Sequence, residues 1–207
     1  NIKYIENRSN KGVTFCRNIG FRLSKSNFVL FHDCDDRIYE DSIEKIFTDI
    51  IKYKDTSCFL YCTDKTHLDK CTINTNYKSL TEALLKTYGK GEMSLVIKKS
   101  QTIIGNPYIG KLRGHEFAGL LTFESSQKSR LKTFVSKNKI RSYYPSNGED
   151  GLTKNNLRID RCKLIRDGHL IATIRLIRKA ELLMGLNFLI KSIIYTLILY
   201  YKLFIRA

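Results

Sequence analysis

Three carboxylates within four positions, at the end of an apolar run, constrain this chain more than any other feature. The segment from Phe28 to Tyr39 reads FVLFHDCDDRIY, and it places Asp33, Asp35 and Asp36 where a buried strand should end. Like charges this close repel one another, so they require a cation, a set of hydrogen-bond donors or open water. Doubly wound α/β proteins bind ligands at the carboxyl ends of their strands, so this position suits a metal ion held against a phosphate.

The remaining pattern predicts alternating strands and helices. Apolar residues at helical spacing predict helices over 13–25, 41–50, 80–88 and from 115 onward, and short apolar runs predict strands over 28–32, 58–63, 94–98, 133–136 and 140–144. Asp41, followed by Glu44, predicts a capping box at the start of the second helix. Strands and helices at these intervals favour an α/β protein with a partly parallel sheet.

The charge balance favours an anionic partner. Lysine and arginine outnumber the acids 36 to 20, which gives a formal net charge of +16. The sequence contains no zinc-finger or basic-zipper pattern and no aromatic platform for single strands, so nucleic acid is not the expected partner. Membrane headgroups or a phosphate-bearing substrate suit the charge better. The six cysteines, without a visible signal peptide, favour a reducing compartment and therefore a cytoplasmic protein.

The segment NKGVTFCRNIGFRLSKSNFVLFHDCDDRIYEDSI resembles the core of the family 2 glycosyltransferases of the GT-A fold. That family shows Asn-x-Gly, then Ala-Arg-Asn-x-Gly on a helix, then an apolar strand that ends in Leu-Asp-x-Asp-Asp. Cys16 replaces the alanine here. The matching residues are Asn10, Gly12, Arg17, Asn18, Gly20, Asp33, Asp35 and Asp36.

The resemblance implies a nucleotide-sugar donor and an Mg²⁺ or Mn²⁺ ion held by Asp33, Asp35 and Asp36. Asp35 would reach the metal, and Asp33 would reach the ribose or the metal shell. On the donor side the resemblance implies nucleotide-binding roles for Asn10, Gly12, Arg17 and Asp33. The competing interpretation is that the acids cap the next helix or face water, and Asp36 is the acid for which it is strongest.

A second segment, NPYIGKLRGHEFAGLL, resembles the acceptor-side loop and helix of the same family. Glu116 matches the acid that takes a proton from the acceptor hydroxyl. The alternative interpretation is a purely structural carboxylate, favoured at a helix N-terminus by the helix dipole. His115 stands where the family more often has an acid, and we interpret it as a surface or capping residue. The acidic pair Glu149 and Asp150 reads as an exposed turn. Tyr144 or a neighbour stands where the family often has a metal-binding histidine.

The resemblance covers roughly residues 7–153, the later half of a catalytic domain. The family's opening strand is not matched, so we expect a GT-A-like, mixed and mostly parallel sheet flanked by helices and truncated at its N-terminus. We predict a partial GT-A domain over residues 1–168 and a helical, membrane-associating tail over residues 169–207.

The tail carries a long apolar pattern with interspersed basic residues. Lys191 interrupts it, and the uncharged run 192–201 is shorter than the ~20 residues that a spanning helix needs. We therefore predict a basic amphipathic helix that lies in the plane of an anionic membrane. A spanning helix, a core helix and a dimerisation helix are the alternatives.

The resulting hypothesis is an inverting, metal-dependent glycosyltransferase at the inner face of the cell membrane. It would use a nucleotide sugar, UDP-linked, and a saccharide or polyprenyl-linked acceptor in cell-surface polysaccharide synthesis. One alternative is a non-catalytic membrane-associated scaffold derived from the GT-A fold. Another is a glycoside hydrolase that uses Asp35 and Glu116 as paired acids.

Overall fold

A computed structural model describes residues 2–34, 36–68, 72–110, 112, 115–142, 159–178 and 181–205. The chain forms two compact units, each discontinuous in sequence. Unit one comprises residues 1–24, 106–123 and 156–207, and unit two comprises residues 25–105 and 124–155.

Unit two contains a six-stranded sheet. Its strands are β1 (Phe28–Leu30), β2 (Arg37–Ile38), β3 (Cys58–Thr63), β4 (Thr75–Tyr77), β5 (Met93–Lys98) and β6 (Thr133–Ser142). They are ordered β1-β5-β3-β6-β2, and β4 pairs with β6 outside that path. Its helices are α2 (Ser42–Lys52) and α3 (Leu80–Thr87).

The mixed α/β architecture is confirmed, but the expected parallel majority in the sheet is not found among the described strands. Only β3 and β6 run parallel, whereas β1–β5, β3–β5, β2–β6 and β4–β6 are antiparallel. The sequence pattern shows that helices separate the strands, and parallel pairing is the usual outcome of such a connection. Here β5 returns between β1 and β3 in the opposite direction, which residue periodicity does not encode.

The core of unit two lies where α2 packs against the sheet. All six residues of β3 are buried, which explains why this strand reads as a continuous apolar run rather than an alternating one. The ring of Tyr53, just beyond α2, stacks on Phe134 with centroids 4.0 Å apart. The core cluster consists of Ile46, Phe59, Tyr61, Val96, Phe134 and Ile140.

Unit one is helical in its described residues. It contains α1 (Val13–Leu23), most of α4 (Glu116–Ser125), α5 (Ile159–Arg178) and α6 (Leu182–Ile205). The rings of Phe21 and Phe123 meet edge to face at 6.2 Å, which packs α1 against α4.

The segment predicted as a helical tail contains the later part of α5 and all of α6. The amide of Glu181 donates to the carbonyl of Leu176, and the amide of Gly185 donates to that of Glu181, where the chain passes from α5 to α6. The predicted boundary after residue 168 falls inside α5. The expectation of a basic tail helix is also wrong for α6, which is apolar and carries only Lys191 and Lys202 over 182–205. Over its whole length α5 carries five basic residues, Arg161, Lys163, Arg166, Arg175 and Arg178, against two on α6.

Candidate functional site

The acidic cluster predicted from the sequence lies in unit two, directly after β1. The amide of Asp36 donates to the carbonyl of Asp33 at 3.2 Å, so the segment turns sharply at the strand end. Nε2 of His32 lies 3.1 Å from the carbonyl oxygen of Asp36 and further ties this turn. Asp35 lies outside the described residues.

Arg141, near the end of β6, brings three carboxylates together. Its Nη1 forms an ion pair with Asp36 and lies 3.6 Å from Oδ2 of Asp33. Its Nη2 lies 3.5 Å from Oε2 of Glu92, immediately before β5. The side chains of Arg141 and Asp36 are only 8% and 3% exposed. Sequence reasoning missed Arg141, for which the only signal was a basic residue within an otherwise strand-like run.

The arrangement suits some of the predicted metal ligands better than others. Asp33 presents a carboxylate that is 34% exposed, and carboxylate oxygens are the ligands that Mg²⁺ and Mn²⁺ prefer. Asp36 fits less well because its buried carboxylate already binds the guanidinium of Arg141. Within the described ranges no group of three His, Cys, Asp or Glu side chains is arranged to hold a metal ion. The assignment of a metal to Asp33, Asp35 and Asp36 therefore stays a prediction.

Three of the predicted donor-side residues, Asn10, Gly12 and Arg17, lie at or just before the start of α1 in unit one. Oδ1 of Asn10 accepts a hydrogen bond from the amide of Gly12 at 3.0 Å. Gly12 has φ +84°, a left-handed conformation that glycine adopts without strain, and its carbonyl accepts from the amide of Cys16. The Asn-x-Gly spacing thus forms the turn that starts the helix.

Arg17 of α1 and Glu116 of α4, both predicted from the sequence, are brought together in unit one. Nη1 of Arg17 lies 3.5 Å from Oε1 of Glu116, and both side chains are partly exposed. The guanidinium also lies over the ring of Tyr108, 5.5 Å from its centroid. Glu116 is the first residue of α4, where the helix dipole favours a carboxylate.

The loop before α4 is fastened to α1 by polar contacts that sequence reasoning did not identify. Asn18 and Tyr108 exchange two hydrogen bonds: Asn18 Nδ2 donates to the Tyr108 carbonyl at 2.8 Å, and Asn18 Oδ1 accepts from the Tyr108 amide at 3.0 Å. Oγ1 of Thr14 donates to the carbonyl of Gly110 at 3.1 Å. These bonds hold the loop beside the helix that carries Arg17.

His115 is buried, so its interpretation as a surface residue was wrong. Its ring meets that of His169 on α5 edge to face, with centroids 4.4 Å apart. Burial, aided by the repulsion of His169 and Lys191, lowers the pKa of His115 to about 4. Burial and Lys191 likewise lower the pKa of His169 to about 4. Both rings are therefore neutral at pH 7, and neither Nδ1 atom has a hydrogen-bond partner in the part of the chain that the structure describes.

Each unit thus gathers one group of candidate residues. Unit one brings Arg17 to Glu116, and unit two brings Asp33 and Asp36 to Arg141. The acidic pair Glu149 and Asp150, and Tyr144, lie outside the described residues, so the sequence-based interpretation of that segment stays a prediction.

Comparison with known proteins gives one matching family model and a solved structure of similar fold. The model of the family described as "Glycosyl transferase family 2" matches residues 1–109, which include Asn10, Gly12, Arg17 and the acidic cluster but not Glu116. No curated protein matches the chain. The crystal structure of residues 1–349 of TarS from S. aureus resembles it with a TM-score of 0.52 at 14% identity, over 90% of this chain and 52% of that one. The chain thus spans about half of that structure, and the likeness shows a shared GT-A-like fold.

Proposed function

Because this chain belongs to glycosyl transferase family 2, we propose that it transfers a sugar from a UDP-linked donor, with inversion, to a saccharide or polyprenyl-linked acceptor. Membership of the family implies a nucleotide-sugar donor and an acceptor. The choice of UDP, the class of acceptor and a role in cell-surface polysaccharide synthesis are our proposals.

The observation that carries the proposal is the pairing of Arg17 with Glu116. In the proposed reaction the acceptor oxygen bonds to the anomeric carbon while the bond from that carbon to the diphosphate oxygen breaks. Glu116 takes the proton that the acceptor hydroxyl loses. Its carboxylate is 35% exposed, so an acceptor can reach it, and Arg17 at 3.5 Å limits its orientation.

On the donor side we propose that Asp33 and Asp35 bind the donor together with Mg²⁺ or Mn²⁺. When bound, such an ion neutralises the charge that develops on the departing nucleotide diphosphate. The 34% exposure of Asp33 supports this assignment, as does the family match over both residues. Asn10, Gly12 and Arg17 lie within the same matched range, and we propose that they contact the nucleotide.

We also propose that the α5–α6 pair attaches the protein to the cytoplasmic face of a membrane. By length and composition, 22 residues of α6 (Leu182–Leu203) are enough to cross a bilayer. However, Oγ of Ser192, near the middle of that stretch, donates to the carbonyl of Arg166 on α5. A spanning α6 that kept this contact would carry the ion pair of Arg166 and Asp167 into the hydrocarbon, where charged side chains are costly.

An orientation in the membrane plane avoids that cost. The large apolar side chains that α6 leaves exposed include Leu183, Leu186, Ile190, Ile193, Ile194, Leu197, Tyr200 and Tyr201. Such residues at helical spacing form one continuous face, and tyrosines favour the headgroup level of a membrane. The surplus of basic residues favours an anionic lipid surface.

The test of the proposed activity is a calorimetric titration of UDP into the full-length protein with and without Mn²⁺, repeated on Asp35→Asn. We expect binding that requires the metal and is lost in the variant. Transfer by Glu116→Gln should fall by about 10²–10⁴-fold with UDP binding retained, because a general base contributes about that factor. Glu82→Gln, at the first turn of α3, is the matched control and should keep full activity.

The rival functions give different results in the same experiment. A scaffold would bind no UDP, and its function would survive both Asp35→Asn and Glu116→Gln. A glycoside hydrolase would cleave a sugar polymer without any nucleotide. Absence of UDP binding, or hydrolysis without a nucleotide, in the full-length wild-type protein would overturn the proposed function.

A further inference from the structure

Arg141 occupies a position where a charged side chain requires a specific reason. It lies opposite Ile38 of β2 and beside Thr63 of β3, with its side chain only 8% exposed. Burial of a guanidinium is unfavourable unless carboxylates and hydrogen bonds compensate its charge. The surrounding carboxylates all come from outside β6, so the contacts of Arg141 join separate segments of unit two.

The guanidinium uses its two terminal nitrogens for different segments. Nη1 contacts Asp36 and lies near Asp33, both on the turn after β1. Nη2 faces Glu92, the residue before β5. A planar, forked guanidinium can make both contacts at once, whereas an ammonium group is a single point charge. The turn after β1 is therefore connected to β6 and to the start of β5 through one side chain.

The three acids differ in how far solvent reaches them. Asp36 is 3% exposed, while Asp33 is 34% exposed and Glu92 is 54% exposed. Asp36 therefore forms the buried ion pair with Arg141, whereas the carboxylate of Asp33 stays partly exposed to solvent. Because the Asp36 amide also donates to the Asp33 carbonyl, a change at Asp36 is transmitted directly to the backbone of Asp33.

We propose that Arg141 is a positioning residue for the donor site. It acts through Asp36 to hold the turn after β1, so that Asp33 is fixed for a divalent cation and the diphosphate of the donor. The inference rests on the proposed function, because it assigns Asp33 to that site.

The test compares Arg141→Gln and Arg141→Lys with wild type in the full-length protein. Mn²⁺ alone is titrated by electron paramagnetic resonance, UDP is titrated in the presence of Mn²⁺, and hydrogen exchange is followed over residues 31–38. We expect Arg141→Gln to exchange faster in this segment and to bind Mn²⁺ about 10–100-fold more weakly, as is typical when a residue behind a metal ligand is removed. Arg141→Lys should recover part of the protection from exchange and part of the Mn²⁺ affinity. The KM for the donor should rise while that for the acceptor stays constant.

Two further variants make the result specific. Arg37 is an exposed arginine on β2 opposite Ser142, and Arg37→Gln should change neither the hydrogen exchange of residues 31–38 nor Mn²⁺ binding. Asp36→Asn should weaken Mn²⁺ binding, and its effect should not add to that of Arg141→Gln, because the two residues act as one unit. If Arg141→Gln does not fold, Arg141→Lys and Asp36→Asn provide the same comparison.

The outcomes separate this inference from the proposed function. Folded Arg141→Gln that binds Mn²⁺ and UDP as wild type does, even with faster exchange, would show that Arg141 only stabilises the sheet, and this would overturn the inference alone. A wild-type protein that binds neither Mn²⁺ nor UDP would instead overturn the proposed donor site itself.

Discussion

The imidazole of His115 lies so close to the backbone of Gly168 that a Cβ at Gly168 would come within 2.3 Å of the ring Cγ. Gly168 is buried in α5, and His115 immediately precedes Glu116. The ring of His115 thus packs directly on the backbone of α5, with no side chain at position 168 between them. Within unit one, this contact between His115 and α5 lies directly beside the candidate base, Glu116.

We expect Gly168→Ala to destabilise the protein by about 1–3 kcal/mol, since the added methyl group would overlap the ring and Cβ of the buried His115, which would have to shift. In a helix that is otherwise open, alanine would stabilise by up to about 1 kcal/mol. Gly20→Ala on α1 is the matched control, because its Cβ would meet nothing within 4 Å. Urea unfolding of both variants checks the prediction, and equal stability of the two would contradict it.

The neutral histidine pair predicts a loss of stability in mild acid. The pKa values of His115 and His169 are about 4 in the folded state, below the ordinary value of 6.5. As the pH falls from about 6.5 toward 4, the unfolded chain binds protons that the folded chain does not, so unfolding becomes easier. Each histidine would contribute at most about 3 kcal/mol at the acid end of that window.

Urea unfolding at pH values between 7 and 4 measures this effect. In His169→Phe, which cannot titrate and lies among Phe188 and Tyr195, the fall in stability over that window should be shallower than in wild type. His67→Gln, which alters an exposed histidine of unit two, serves as the control. An unchanged pH dependence in His169→Phe would mean that the pair does not govern acid stability.

The buried carboxylate of Glu124 predicts a second, independent loss of stability. It accepts hydrogen bonds from the amides of Leu80 and Thr81 at 2.8 Å, from the hydroxyl of Thr81, and from the amide of Leu131 at 3.2 Å. These contacts anchor the N-terminus of α3. Glu124→Gln replaces one acceptor oxygen by a donor group, so buried amides lose their partner, and we expect a loss of about 2–3 kcal/mol.

The denaturant midpoint of Glu124→Gln checks this loss. Glu44→Gln alters an exposed acid in the first turn of α2 and should shift the midpoint by far less. Similar midpoints for the two variants would contradict a structural role for Glu124.

Local sequence pattern was enough to predict most of the individual elements. The helix α1 and the strand β1 each carry their own periodicity and terminate at polar or glycine-containing turns, so they were predicted within a few residues of their observed bounds. The capping box at Asp41 was not found, because no side-chain bond from Asp41 caps α2. Its carboxylate pairs with Lys45 instead.

The features that sequence reasoning missed depend on contacts between distant residues. Arg141 meets Asp36 across 105 positions, and neither residue type reveals its partner in advance. The same holds for the exchange of hydrogen bonds between Asn18 and Tyr108, 90 positions apart. The two-residue strand β2 is too short to carry a period at all. The candidate acids Asp33, Asp35 and Asp36 could be picked out because they lie within four positions of one another, whereas Arg141, which contacts two of them, is distant in sequence.

The proposed membrane attachment predicts that the exposed face of α6 contacts lipid. Ile190 and Ile194 lie on that face and are 50% and 47% exposed. Replacing both by glutamate removes apolar area and adds negative charge facing an anionic surface, so we expect binding to vesicles of phosphatidylglycerol and phosphatidylcholine to fall at least about tenfold. Flotation of the protein with such vesicles measures the effect.

The matched control is the double replacement of Ile43 and Phe47 by glutamate, because these α2 residues are also exposed and apolar, at 50% and 59%. If the α5–α6 pair forms the contact, the α2 variant floats as wild type does, while the α6 variant does not. Extraction of cell membranes at alkaline pH then distinguishes the two orientations. Alkaline extraction releases a helix that lies in the membrane plane, whereas a spanning α6 stays with the bilayer. Retention would also mean that α6 has separated from α5, with loss of the hydrogen bond from Ser192 to the carbonyl of Arg166.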